Sequence, residues 1–227
     1  MHLPEREITI WNRKPCGRRT ARNGNPPMEG MSQGPVRNRI GYTHCRGKTY
    51  LKSMRYNDMS EKIVGMFGGK FLPLHRGHYR TIWKMSLQCD IAYLCLFINS
   101  PEEKRSEYRW YLDPDFRYYQ LRRAIEKIHL DPTTWVRKTK YRILVIDCSE
   151  YMTDGKEDWV REAEYIKGVA GHIDRVYSSE RSYDDIFRKV YPDAEHVLVD
   201  PDREVYSISA TELREKDDIE ELVKWMV

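Results

Sequence analysis

From about residue 61 to residue 200, short apolar runs alternate with longer stretches in which apolar positions recur every three or four residues. Lys62–Phe67, Ile91–Ile98, Arg142–Asp147, Ile173–Tyr177 and His196–Val199 are short and rich in β-branched, Leu and aromatic residues, which predicts buried strands. Gly77–Gln88, Pro114–His129, Lys156–Val169 and Tyr183–Val190 predict helices. In the second of these Tyr118, Leu121, Ile125 and Ile128 fall on one stripe. Strict alternation of strand and helix predicts βαβ units, and hence a Rossmann-like α/β fold with a parallel sheet and helices on both faces. Such sheets bind ligands beyond the carboxyl ends of the strands, where strand order reverses, so chemistry is to be sought in the residues that follow each strand.

Charge sharpens the domain picture. Residues 1–60 hold 12 Lys/Arg against 4 Asp/Glu, and residues 61–227 hold 27 against 31. The front segment has Arg, Asn, Gly and Pro in abundance, as in Arg18-Arg19-Thr-Ala-Arg22-Asn-Gly-Asn-Pro-Pro27, with neither helical nor alternating periodicity. It reads as a disordered basic extension, followed by a domain over residues 61–215 and a C-terminal helix over residues 216–227. Clustered Lys/Arg would suit an arm for nucleic acid or a membrane surface. A solvated tail, or a true start at Met59, is the simpler reading, so neither nucleic acid nor a membrane is an expected partner. The five cysteines are odd in number and form no C-x-x-C pair, which argues against a disulfide framework or structural zinc and for a reducing compartment. No apolar h-region follows Met1, and the run Ile91–Ile98 is too short to span a bilayer. A soluble, cytoplasmic protein is expected.

Two segments carry candidate chemistry. After the first predicted strand comes Gly68-Gly69-Lys70-Phe71-Leu72-Pro73-Leu74-His75-Arg76-Gly77-His78. The glycines permit a tight turn whose N–H groups approach an anion, and Lys70 adds positive charge. His75 and His78, three apart at a helix start, can face one point where the helix also favours negative charge, so phosphate is the expected ligand. Paired histidines also suit a metal, but zinc would need a third protein ligand and none is adjacent in sequence, so no protein-held metal is expected. Near the far end, Ser209 and Glu212 form a capping box, and Thr211 and Arg214 add a hydroxyl and a cation to that helix start.

Gly69-Lys70-Phe71-x-Pro73-x-His75-x-Gly77-His78 resembles the G-x-F-x-P-x-H-x-G-H signature of the HxGH nucleotidylyltransferase superfamily. Ile208-Ser209-x-Thr211-x-x-Arg214 resembles the I-S-x-T-x-x-R motif of the same superfamily. The resemblance covers roughly residues 61–215. It implies the nucleotidylyltransferase fold and attack of an acceptor phosphate on the α-phosphorus of a nucleoside triphosphate, with release of pyrophosphate. His75 and His78 would contact the α- and β-phosphates, Lys70 and Arg214 would counter the remaining charge, and Ser209 and Thr211 would bind the leaving end. Gly68, Gly69, Phe71 and Ser178 complete the implied ATP site, and Mg²⁺ would bridge phosphate oxygens.

Val199-Asp200-Pro201-Asp202-Arg203, Ser178-Ser179-Glu180 and the Gly69-Lys70-Phe71 triplet look most like the nicotinamide mononucleotide adenylyltransferase domain of NadR-type bacterial proteins. That likeness implies NAD biosynthesis from ATP and nicotinamide mononucleotide. Trp159 is the candidate for the nicotinamide ring, with a plain core role as its alternative, and Asn99 is placed on the substrate side by position alone. Nicotinate mononucleotide, phosphopantetheine or a cytidylyl transfer are the alternative acceptor chemistries. A nucleotide-sensing regulator that binds nucleic acid is the alternative of another class, prompted by the basic extension. Neither a G-x-x-x-x-G-K-[ST] loop after residue 215 nor a helix-turn-helix in residues 1–60 is present, so kinase and DNA-binding functions are not carried over. The apolar tail residues Ile219, Leu222, Val223 and Trp225–Val227 are expected to pack on the domain or on a second subunit of a homo-oligomer.

Overall fold

The computed structural model describes residues 62–101, 103, 113–215 and 219–227. The basic extension expected over residues 1–60 lies outside the described residues. The strands are β1 (Val64–Gly69), β2 (Ile91–Ile98), β3 (Lys140–Asp147), β4 (Met152–Thr153), β5 (Lys156–Glu157), β6 (Arg175–Ser178) and β7 (Glu195–Leu198). The helices are α1 (Arg76–Gln88), α2 (Pro114–Leu130), α3 (Trp159–Ala170), α4 (Asp184–Val190), α5 (Ala210–Glu215) and α6 (Ile219–Trp225).

Five strands form one sheet in the order β3-β2-β1-β6-β7, and every neighbouring pair is parallel. The chain starts at the centre with β1, builds outward through β2 and β3, then returns to the other side of β1 for β6 and β7. Strand order therefore reverses between β1 and β6, and the crevice lies beyond Gly69 and Ser178. Two aspartates fix the opposite end of β1: Ile63 N donates to Asp90 Oδ2 at 2.8 Å and Val64 N to Asp174 Oδ2 at 2.7 Å.

Alternate residues of each strand enter different cores, as a two-residue period requires. Phe67, Leu94, Leu96 and Ile143 pack with Ile82 and Met85 of α1 and Leu121 and Ile125 of α2. Met66, Tyr93, Cys95 and Leu144 pack on the other face with Ala163 and Ile166 of α3 and Val190 of α4. Helices thus cover both faces, as the alternating pattern predicts. A third, smaller cluster joins Leu72, Ile208, Leu213 and Leu222, with Met226 against it, and seats α6 beside the loop that follows β1. Among the described residues no helix is long and apolar enough to cross a membrane.

The helix expected over Lys156–Val169 begins later. Lys156 and Glu157 instead pair with Met152 and Thr153 in an antiparallel hairpin. Its loop is Asp154-Gly155, both at positive φ (51° and 76°), the conformation a two-residue hairpin turn requires. Asp158 then caps α3, its carboxylate accepting from Val160 N and Arg161 N at 3.2 Å each, so Trp159 is the first helical residue.

Candidate active site

β1 ends in two glycines because the space beside it is already filled. A Cβ on Gly68 would lie 2.7 Å from Phe97 Cε2, nearer than side chains approach one another. Phe71 follows at φ 48°, and its buried ring meets Phe67 and His78 edge-on, with centroids 5.5 and 5.1 Å away. The loop is thereby anchored from below while Gly68, Gly69 and Lys70 border the crevice.

The spacing of the two histidines has a structural origin. His75 is the N-cap of α1 and its Nδ1 accepts from Gly77 N at 3.1 Å, while His78 Nδ1 accepts from His75 N at 3.3 Å. The pair is a capping box made of imidazoles. Their ring centroids lie 3.8 Å apart at an interplanar angle of 32°. Burial, followed by the positive charge of Arg203, lowers the His75 pKa to about 4, with Glu212 opposing. Burial, followed by His75, holds His78 well below the usual imidazole range. Both rings are therefore neutral at pH 7. With each Nδ1 accepting a backbone hydrogen bond, the proton sits on Nε2, and each ring keeps one N–H to donate.

Facing them across the crevice is the segment after β7. Ser209 N donates to Glu212 Oε2 at 2.6 Å and Glu212 N to Ser209 Oγ at 3.1 Å, the capping box read from the sequence. Arg214 reaches back to the first loop, donating from Nη1 to the Leu72 carbonyl at 3.1 Å and from Nη2 to Thr211 Oγ1 at 3.1 Å. At the end of β6, Ser178 Oγ lies 2.7 Å from His196 Nε2, and His196 Nδ1 lies 3.1 Å from Asp184 Oδ1. That chain of bonds fixes the Ser178 hydroxyl.

A third side of the crevice carries charge and aromatic surface. Lys70 Nζ lies 3.3 Å from Glu157 Oε1 on β5. Glu162 is pushed up to about 7 by burial and then by the charge of Glu157, with Lys70 opposing. Trp159 stands beside Tyr183 and Phe187, with ring centroids 5.5 and 6.2 Å away.

These walls enclose a cleft of about 330 Å³, within the range of small-ligand sites. Gly68, Gly69, Lys70, Phe71, His75, His78, Trp159, Ser178, Ser209, Thr211 and Arg214 all line it. Asn99 does not; it sits at φ 57° and donates from Nδ2 to Asp147 Oδ2 at 2.8 Å. Arg203, Glu157 and Glu162 line the cleft without having been singled out by the sequence. Arg203 lies in the Val199–Arg203 segment that carries the resemblance, and its pairing with Glu180 at 2.9 Å, across 23 residues, leaves no local trace in the sequence.

Among solved structures the chain is similar to a NadR protein in complex with NAD and AMP-PNP. The identity is 21% and the TM-score 0.49, over 73% of this chain and 45% of that one. It is similar to a bifunctional NMN adenylyltransferase/ADP ribose pyrophosphatase from Francisella tularensis at 14% identity and TM-score 0.49, over 68% and 42%. A Plasmodium falciparum nicotinic acid mononucleotide adenylyltransferase complexed with APC is matched at 13% identity and TM-score 0.39, over 73% and 90%. The chain thus spans less than half the length of the first two. The family model described as cytidylyltransferase-like matches residues 66–216, a stretch that takes in the β1 loop, both histidines and the Ser209–Arg214 segment. By that match over most of its length, the chain belongs to the cytidylyltransferase-like family, whose members include the HxGH nucleotidylyltransferases.

Proposed function

We propose that this protein is an adenylyltransferase that moves AMP from ATP to nicotinamide mononucleotide, forming NAD and pyrophosphate. The observation that carries the reading is the pair of neutral imidazoles, each keeping an Nε2–H, between the β1 loop and the Ser209–Arg214 segment. A triphosphate in this crevice meets donors from both sides.

An oxygen of the acceptor's phosphate attacks the α-phosphorus, and the bond to the bridging oxygen breaks. Pyrophosphate departs with that electron pair. The protein supplies no covalent intermediate; it positions the reactants and stabilises charge on the non-bridging and leaving oxygens. Nε2–H of His75 and of His78 donates to the α- and β-phosphates. Negative charge arriving there raises the proton affinity of both rings, so they respond to the charge that builds in the transition state. Lys70 and Arg214 counter the triphosphate, and Ser209 and Thr211 donate to the departing pyrophosphate. Gly68, Gly69, Phe71 and Ser178 shape the nucleotide side, and Trp159 offers a ring face to the nicotinamide.

Among the described residues no three His, Cys, Asp or Glu side chains converge to hold a cation. Mg²⁺ would therefore enter with the triphosphate rather than on a cage of protein ligands. It would supply charge neutralisation at the phosphates.

The test is pyrophosphate release by purified protein with Mg²⁺-ATP and, separately, nicotinamide mononucleotide, nicotinate mononucleotide and phosphopantetheine, with His78→Ala alongside. Release with the first acceptor and a loss of about 100-fold or more in the variant is expected. Faster release with another acceptor would keep the chemistry and replace the substrate. A folded protein that binds ATP and turns over none of them would overturn the enzymatic reading.

A further inference from the structure

Arg117 lies in the first turn of α2, and its side chain is fully buried. Nη1 donates to the carbonyl of Lys70 at 2.7 Å and to that of Phe97 at 3.1 Å, and Nη2 pairs with Glu103. Glu103 is itself held at the end of β2, where Ser100 N donates to its Oε2 at 3.4 Å and Glu103 N donates to Ser100 Oγ at 3.2 Å. One guanidinium therefore ties together the loop after β1, the end of β2 and the segment that follows β2.

Cohesion alone is a poor reason for a cation here. Desolvation of a buried ion pair consumes much of its attraction, and apolar residues of like volume in place of both partners often hold a fold together as well. What an apolar residue does not supply is a fixed direction for the two carbonyls. A guanidinium does, because its donors are held in a rigid planar fork. The loop is gripped from both sides by this device, since Arg214 binds the Leu72 carbonyl two residues on. Between these two carbonyls sits Phe71 at φ 48°, and beside it Lys70 extends over the cleft toward Glu157.

We propose that Arg117 is a positioning residue for nucleotide binding: it holds the Lys70 carbonyl so that the Lys70 ammonium faces the triphosphate, and it acts on the nucleotide through Lys70. This rests on the reading of Lys70 as an ATP ligand. A double-mutant cycle separates it from a merely structural role, because a residue acting through Lys70 loses its effect once that ammonium is gone.

The experiment is a double-mutant cycle on Arg117→Lys and Lys70→Ala, read as Mg²⁺-ATP affinity by titration calorimetry and, independently, as pyrophosphate release. Arg117→Lys keeps a charge for Glu103 but loses the fork. About a tenfold loss of ATP affinity is expected for each single variant, and the double variant should bind no worse than the weaker single one. Combined with Ser209→Ala on the opposite wall, Arg117→Lys should multiply the losses. If Arg117→Lys does not fold, the paired replacement Arg117→Met/Glu103→Leu, which leaves no carboxylate unpaired, carries the same cycle, with thermal unfolding to verify its fold. Multiplying losses with Lys70→Ala, equal coupling to both partners, or unchanged ATP affinity in Lys70→Ala would each overturn the proposal. Because affinity is measured apart from turnover, a protein that binds ATP but transfers nothing sinks the proposed reaction while the cycle still decides the role of Arg117.

Discussion

Acidification offers a quantitative check on the neutral histidine pair. His75 titrates near pH 4 in the folded chain, against about 6.5 when unfolded. Below pH 6.5 the unfolded chain takes up a proton that the folded chain refuses. The contribution of His75 is thus fully present above pH 6.5, is lost progressively as pH falls, and levels off near pH 4. The whole effect amounts to about 3 kcal/mol, of which about 2 kcal/mol falls between pH 7 and pH 5. His78, lowered in the same direction, adds to the slope. Glu162 opposes it: its pKa is raised to about 7, so its contribution is present below the unfolded value and is lost as pH rises through 7.

A comparison with His75→Asn isolates the first contribution, since asparagine keeps a side-chain acceptor for Gly77 N but does not titrate. Chemical denaturation followed by circular dichroism at pH 5 and pH 7 gives the stability difference for each protein. The difference should be smaller in the variant by about 2 kcal/mol. It should be smaller still by the minor part of the His78 effect that His75 causes. An unchanged pH response would refute the claim that His75 is buried as a neutral base.

Other perturbations follow from packing and charge. A Cβ on Gly65 would lie 2.5 Å from Cys89 Sγ and 3.1 Å from Tyr177 Cε2, so Gly65→Ala should cost about 1–3 kcal/mol in denaturant unfolding. Leu222 is buried among Leu72, Ile208 and Leu213, and Leu222→Ala should cost about 2–5 kcal/mol. It should also weaken ATP binding, because Leu72 belongs to the loop that the cluster supports. Arg203→Met removes the second cause of the low His75 pKa, so the ring should titrate at higher pH in an NMR titration; an unmoved value would remove Arg203 from the account. Trp159→Ala should raise KM for the acceptor with little change in KM for ATP, and a rise in the ATP value alone would assign the ring to the other substrate.

The fold was legible where local pattern and tertiary environment agree. Buried parallel strands write themselves as continuous apolar runs, and α2 carries its stripe in full. The Lys156–Glu157 hairpin reads as helix in the sequence because its four paired residues are too few to show a period; the Asp154-Gly155 turn and the Asp158 cap are the local signals that mark it. The His75/His78 and Ser209/Glu212 pairs were legible because capping joins residues three apart. The role of Arg117 is not legible in the sequence because its partners lie 14 to 47 positions away, and an arginine in a helix pattern ordinarily points to water. Asn99 was placed by position after β2, but its amide is committed to Asp147 on the neighbouring strand.

The reversal of strand order has a mechanical consequence. The strands on one side of the β1/β6 ladder, β1 included, come from the chain before residue 148, and the two on the other side from the chain after residue 174. The crevice therefore lies over the seam where two halves of the polypeptide meet. A molecule bound there stitches early chain to late chain, and its binding free energy adds directly to their cohesion. Two separately expressed halves, divided beyond β3, would have each other's missing wall to find, and ligand would be the agent that rewards the match.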